Sequence, residues 1–309
     1  MARFEVLILG SSSALPAYGR HPTAQLVNIH ENFFLVDCGE GTQSRLVEYG
    51  CKAHRIQAIF ISHLHGDHYF GLPGLLTSMN LLGRTDPLTV FSPEGLDHLI
   101  EEIIRLGQGQ LQYEIHWHPL SKNGKQKIFE NRTFGVFSFP LAHRIPTYGF
   151  MFCEKPGMRK IKPEMLAGQP IPYDTIQKLK TGMDVPDDSG RVFLSREYTE
   201  DPLLPRKYAY CSDTLPLPGL ASIIQGVDLL YHESTYMEEH LEKAGLNHHS
   251  TASQAAGLAV SGRVKKLIIG HFSSRYKLLD GLLDEAKAVF PNTELALEGK
   301  KFEVGREGL

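Results

Sequence analysis

Apolar residues recur along this chain in two rhythms. Short β-branched or alternating runs, bounded by Gly, Pro, Asn or Ser, predict strands at 4–9, 24–30, 32–36, 57–61 and 88–91. Three- and four-residue spacing predicts helices at 42–49, 70–82 and 96–106, the second despite an early Gly71 and Pro73. Strand-like segments return at 112–118, 133–139 and 148–153, and again at 207–211, 227–231, 265–269, 294–297 and 302–304. Helices are predicted at 252–260 and 278–289. Strand-rich stretches and helices alternate through both halves. The predicted architecture is α+β, two mixed sheets packed together with helices outside.

The rhythm breaks from 154 to 205, a stretch with many prolines and few long apolar runs. Its first part, 154–180, holds the basic residues Lys155, Arg159, Lys160, Lys162, Lys178 and Lys180 against three acidic ones. A structureless loop of this length is unusual inside a compact domain. The segment therefore reads as an arm inserted in a single domain spanning 1–309. No repeat or low-complexity tract interrupts the rest.

Composition narrows the class only a little. With 42% hydrophobic and 22% charged residues the chain is that of an ordinary globular protein. Its net charge of −3 gives no sign of a basic surface, so any RNA-binding patch must be local. The four cysteines, Cys38, Cys51, Cys153 and Cys211, form no CxxC pair and no disulfide pattern, which fits a reducing compartment. The first residues lack a signal peptide's apolar core, and no run of about 20 apolar residues suggests a membrane span. Together these features point to the cytoplasm.

The chemistry is concentrated after the strand at 57–61, in His63-x-His65-x-Asp67-His68. Imidazole and carboxylate suit zinc and its neighbours. In an extended segment residues two apart project to one side, so His63 and His65 can clasp one ion while Asp67 and His68 serve another. Gly10-Ser11-Ser12-Ser13 is not a phosphate-binding P-loop, because no Gly-Lys-Ser/Thr follows, and no nucleotide cofactor is expected. Gly39 and Gly41 read as residues of a tight turn.

His-x-His-x-Asp-His after a strand is the signature of the metallo-β-lactamase superfamily, which implies a four-layer αββα sandwich. Further ligands should then follow in order, and His143, Asp213 and His271 each come just past a predicted strand. By that resemblance His63, His65 and His143 hold one metal, Asp67, His68 and His271 hold the other, and Asp213 bridges them. Such a pair clamps the attacking and leaving oxygens, and a hydroxide between the ions attacks phosphorus while Asp67 orients it or takes its proton. Two Zn2+ are expected, with Mn2+ or Co2+ as possible substitutes.

The whole chain resembles the short form of the tRNase Z (ribonuclease Z) family. The resemblance is carried by Leu9-Gly10-Ser11-Ser12-Ser13-Ala14-Leu15-Pro16, Asp37-Cys38-Gly39-Glu40-Gly41-Thr42-Gln43, His232-Glu233-Ser234-Thr235 and His249-Ser250-Thr251, with an arm after His143. It implies a zinc-dependent endoribonuclease that removes 3′ trailers from precursor tRNA, leaving a 3′-hydroxyl on the tRNA and a 5′-phosphate on the trailer. His249, steadied by Glu233, would protonate the leaving oxygen or hold the phosphate. The arm would grip the tRNA through its phosphates, and the family is commonly homodimeric.

Two segments depart from the family pattern. Where relatives carry Pro-x-Lys-x-Arg-Asn, a segment tied to where the cut falls, this chain has Pro16-Ala17-Tyr18-Gly19-Arg20-His21, so Pro16 and Arg20 match and the Lys and Asn do not. The arm keeps a basic end, Lys178-Leu179-Lys180-Thr181-Gly182, but its glycine-proline core is reduced to Ile171-Pro172-Tyr173. Two readings stand beside the lead. One is another hydrolase of the same superfamily, such as a small-molecule or cyclic phosphodiesterase. The other is a metal- or RNA-binding relative without activity, which the filled ligand positions argue against.

Overall fold

The computed structural model describes residues 2–167 and 171–305. Two compact units emerge, one formed by 1–129, 136–152 and 207–309, the other by 130–135 and 153–206.

In the larger unit the first sheet is built from β1 (Phe4–Gly10), β2 (Ala24–Ile29), β3 (Asn32–Val36), β4 (Ile56–Phe60), β5 (Leu88–Ser92) and β6 (Ile115–Pro119). The chain then enters a second sheet through β7 (Gln126–Glu130), β8 (Phe134–Leu141) and β9 (Thr147–Glu154). The arm carries β10 (Lys160–Ile161), β11 (Val185–Pro186), β12 (Val192–Phe193) and β13 (Thr199–Glu200). After it come β14 (Lys207–Cys211), β15 (Leu229–Glu233), β16 (Leu267–Gly270), β17 (Thr293–Leu295) and β18 (Lys301–Glu303). The two seven-stranded sheets run β18-β1-β2-β3-β4-β5-β6 and β17-β16-β15-β14-β9-β8-β7. Both are mixed, since β1–β3 pair antiparallel and β3–β6 parallel, while β14–β17 are parallel.

Alternation along each strand sorts the layers. On β1 and β4, Leu7, Leu9 and Ile59 face a core shared with helices α1 (Thr42–Glu48), α3 (Leu72–Leu81) and α4 (Leu96–Leu106). The opposite face meets the second sheet, where Phe34 and Phe60 lie 5.4–5.9 Å, ring to ring, from Phe150 and Phe152. Helices α9 (Ala252–Ser261) and α10 (Asp280–Val289) pack on each other and against strands of the second sheet. The expected αββα layering is thus present. Fully buried phenylalanines in the middle supply much of its hydrophobic stabilisation, about 1.5–3 kcal/mol each.

Some sequence expectations shift. The predicted helix at 70–82 begins at Leu72, as α3, and a short helix that was not predicted, α2 (Gly66–Tyr69), precedes it across Phe70 and Gly71. A Cβ at Gly71 would lie 2.2 Å from the Gly39 carbonyl oxygen, and one at Gly39 would lie 2.4 Å from that of Asp67. Gly39 is thus a point of close backbone approach, and it also opens the expected turn, its carbonyl accepting from the Thr42 N–H at 3.2 Å. Gly41 does take the left-handed turn conformation, with φ 85°. Strand β7 and helix α8 (Leu241–Asn247) were not predicted, both being short segments with weak apolar periodicity.

The smaller unit has a modest core of Leu179, Val185, Phe193 and Tyr198, with Ile161, Met165 and Ile171 against it. Its helices are α5 (Tyr173–Lys180) and α6 (Ser195–Tyr198), and β10 pairs with β13 and β11 with β12. All four cysteines are free thiols. Among the described residues no helix is long and apolar enough to cross a membrane.

Candidate metal centre

Strand ends build the site. His63 follows β4, His143 follows β8, Asp213 follows β14 and His271 follows β16, each within three residues of the strand's last residue. Side chains that follow the carboxyl ends of strands from both sheets thus converge, as ligands gather at strand ends in open α/β sheets. His65, Asp67 and His68 come from the turn into α2 and from α2 itself.

All seven expected ligands meet there, in the groups His63–His65–His143–Asp213 and Asp67–His68–His271. In the first, His63 Nε2 lies 3.1 Å and His143 Nε2 3.2 Å from His65 Nδ1. In the second, His271 Nε2 lies 3.3 Å from both His68 Nε2 and Asp67 Oδ2. Asp213 serves both groups. Its Oδ2 is 3.5 Å from His63 Nε2 and its Oδ1 3.2 Å from His271 Nε2.

These spacings test whether the residues suit a divalent metal. Ligand atoms about 2.0–2.2 Å from a tetrahedral ion stand roughly 3.3–3.6 Å apart, close to the separations seen here. Asp67 and Asp213 are nearly buried, yet among the described residues neither pairs with Lys or Arg. Buried carboxylates whose only ion-pair partners are imidazoles are the environment that a divalent cation neutralises. The donor set fits.

A further layer of residues fixes four of the five rings. Asp37 Oδ2 accepts from His68 Nδ1 at 2.8 Å, from Ser62 Oγ at 2.9 Å and from the Tyr210 hydroxyl at 2.5 Å. Ser62 Oγ also lies 3.0 Å from His63 Nδ1. The His248 carbonyl accepts from His143 Nδ1 at 2.8 Å, and Thr235 Oγ1 lies 2.9 Å from His271 Nδ1. Four imidazoles therefore present Nε2 inward with Nδ1 held from behind, whereas His65 turns Nδ1 inward. Asp67 Oδ2 accepts from the backbone N–H of Ala14 at 2.7 Å. Asp37 and His271 hold left-handed φ of 56° and 58°, unfavourable for residues with a Cβ and typical of over-determined functional sites.

Burial first, then the neighbouring imidazoles, push His63 well below its ordinary pKa. Burial also lowers His65 and His143. Neutral imidazole is the form that ligates. His68 is raised well above its ordinary value. Burial is the largest influence and acts the other way, but Asp67, Asp213 and Asp37 together outweigh it. Burial likewise opposes the shift of Asp67, which His68 and His271 nonetheless hold far below the usual carboxylate range.

Beside the seven stands His249, its Nδ1 2.9 Å from Glu233 Oε1. Glu233 is buried and accepts four more hydrogen bonds, from the backbone N–H groups of Thr214, Thr235 and Ser250 and from the Thr235 hydroxyl. Burial alone would lower His249, but Glu233 raises it to about 9. His249 in turn brings Glu233, against its burial, down to about 2. A cavity of about 480 Å³ opens over this group, lined by His65, Asp67, His143, Asp213, His249 and His271.

The basic residues expected to touch RNA divide. Arg20 donates to the backbone carbonyls of Tyr276 (2.7 Å) and Lys277 (3.4 Å), bracing the loop after His271. In the arm, Lys155 is tied to Glu130 and the Asn131 carbonyl, and Arg159 to Thr199 and Asp201. Lys160, Lys162, Lys178 and Lys180 have no ion-pair partner among the described residues. Sequence reasoning missed the bracing roles of Asp37, Ser62, Thr235 and Tyr210. The first three sit in or beside motifs already singled out, but Tyr210 looks like any buried strand residue.

The fold and centre together define a metallo-β-lactamase-fold protein. A metallo-beta-lactamase fold protein from Bacillus subtilis matches with a TM-score of 0.69 over 98% of this chain and 100% of its own, at 16% identity. The family model described as Anti-Pycsar protein Apyc1 matches residues 4–156. The Bacteroides fragilis protein named Ribonuclease Z is 43% identical over 96% of this chain and 98% of its own. The crystal structure of human tRNase Z, short form, matches with a TM-score of 0.71 and 27% identity over 98% of this chain and 100% of that one. The chain belongs to the ribonuclease Z family.

Proposed function

We propose that this chain is a metal-dependent endoribonuclease that removes 3′ trailers from precursor tRNA, leaving a tRNA 3′-hydroxyl and a trailer 5′-phosphate. The observation that carries this reading is the pairing of a complete His/Asp donor set with the His249–Glu233 pair, in a chain of this family over nearly its full length.

His63, His65 and His143 would hold one Zn2+, Asp67, His68 and His271 a second, and Asp213 would reach both. Ions bound there supply Lewis acidity and acidify water to near neutral pH. The remaining work falls to the chain. Asp67, kept ionised and aimed by the Ala14 N–H, orients the attacking water or accepts its proton. His249, hydrogen-bonded to Glu233, delivers a proton to the departing 3′ oxygen, which leaves poorly without one. The arm spanning 154–205 supplies phosphate contacts through Lys160, Lys162, Lys178 and Lys180, with Lys155 and Arg159 holding its shape and Arg20 bracing the loop behind His271. The reading includes a homodimer acting in the cytoplasm.

The test is cleavage of an end-labelled precursor tRNA with mapped termini, wild type beside His65→Ala. A metal-dependent cut after the discriminator nucleotide, lost in the variant, is expected. Turnover of a simple phosphodiester or cyclic nucleotide without that cut would move the function to a small-molecule phosphodiesterase.

A further inference from the structure

A second cavity, of about 670 Å³, shares His65 in its lining with the catalytic one. Leu64, Pro93, Leu120, Ile145, Pro146 and Tyr148 make it apolar. It belongs wholly to the larger unit and shares His65 with the metal centre, so the two cavities adjoin. The Tyr148 hydroxyl is occupied by the Leu120 carbonyl at 3.1 Å, and the walls offer a ligand little to hydrogen-bond. Two charges stand on the rim, Lys122 and Glu94, both exposed.

Nothing in the proposed hydrolysis uses this cavity. Its position and chemistry nonetheless constrain its occupant. A phosphodiester at the metals continues on both sides as polynucleotide, and a cavity that shares His65 with the catalytic one adjoins that path. The cavity lies in the range of pockets that bury small ligands, about 300–1,000 Å³, and so has room for a nucleobase. Unpaired bases gain by leaving water for apolar or aromatic surfaces. The trailer is the part of the substrate whose bases are free of a helical stack. Lys122 can meet the phosphate that follows, whereas Glu94 repels phosphate.

We propose that this cavity is a trailer-base subsite, taking the base of one of the first two nucleotides beyond the cut. The inference rests on the precursor-tRNA reading above. It makes the enzyme sensitive to the presence of a trailer base with little regard to its identity, because an apolar pocket rewards any base face.

The test places abasic nucleotides at the first two trailer positions, or instead at the discriminator, and compares kcat/KM. Wild-type protein should lose about tenfold or more with the abasic trailer, the size of one lost base contact. Pro146→Trp, at an exposed position, fills the cavity. It should cut the intact trailer at the abasic rate and show no further abasic loss, with metal content and thermal unfolding as checks that it is folded and loaded. Lys122→Glu should weaken binding in step with trailer length. An abasic loss in Pro146→Trp equal to that of wild type overturns the subsite, as does a loss only at the discriminator. Cleavage indifferent to abasic trailers overturns the subsite alone. No cleavage of any precursor by metal-loaded protein overturns the substrate reading with it.

Discussion

Around Asp213 polar side chains are committed to one another. His68 leans on Asp37, Asp37 on Ser62 and Tyr210, His271 on Thr235, and Thr235 on Glu233. In the arm unit, Lys160, Lys162, Lys178 and Lys180 stand without ion partners on a scaffold of two-residue strands, short helices and a four-residue buried core. The contrast matches two kinds of work. Bond cleavage needs groups fixed before the substrate arrives, since preorganised charges need no rearrangement at the moment of reaction. Gripping a folded RNA by its phosphates needs charge without fine placement. On the proposed function, fixed placement thus goes with the chemistry, and unpaired charge with the handle.

Perturbing the fixed region should produce the larger effects. His249→Ala should lower kcat on precursor tRNA by about 10²–10⁴-fold, the range for a lost general acid, with metal content unchanged. A fall of less than threefold would remove His249 from the chemistry. Asp37→Asn touches no ion directly, yet should cost about 10–100-fold in metal affinity or activity, as loss of a ligand's orienting partner does. Equilibrium dialysis against a metal buffer reads this separately from turnover.

The arm should respond differently. Replacing Lys160, Lys162, Lys178 and Lys180 together with Ala should raise KM for precursor tRNA and flatten its salt dependence, by a log–log slope of up to about 0.7–0.9 per lost phosphate contact. Hydrolysis of bis(p-nitrophenyl) phosphate should not change. Equal losses on both substrates would erase the distinction between the two regions.

The smallest effect is on stability. In metal-free protein, Glu233 is lowered from 4.5 to about 2, so its stabilisation is present above 4.5 and lost as pH falls towards 2. His249 is raised from 6.5 to about 9, so its stabilisation is full below 6.5 and lost as pH rises through 9. Urea unfolding of wild type against His249→Gln should therefore show its greatest difference between about 4.5 and 6.5, shrinking on both sides. A pH-independent difference would show that the pair is not ionised as described.

The same contrast explains what the sequence revealed. The core strands were legible because burial on one or both faces imposes an apolar rhythm, and the donor residues because His63, His65, Asp67 and His68 form a dense motif whose resemblance to a known family pointed to His143, Asp213 and His271. Asp37 could be noticed in its motif, but its hydrogen bond to His68 spans sheet connections that no local pattern encodes. Tyr210 was invisible, since its hydroxyl emerges from a strand that reads as uniformly buried. The arm was recognised only as a break in rhythm. Elements such as Lys160–Ile161 and Thr199–Glu200 pair across nearly forty residues and are too short to carry a period of their own. The edge strand Gln126–Glu130 escaped for a related reason, being mostly half-exposed, with mixed polarity.

One feature of the sheet order reaches beyond catalysis. The arm leaves the chain between β9 and β14, which are neighbours in one sheet, and the centre draws His63, His65, Asp67, His68 and His143 from before it and Asp213 and His271 from after it. A single peptide-bond cut in the 187–191 turn would thus yield two fragments that share a sheet and a set of ligands. The nicked molecule should migrate as one species on a native gel and part only in denaturant. On that expectation the chain would be a split protein already joined, and its arm a site at which length and composition could change without reopening the centre.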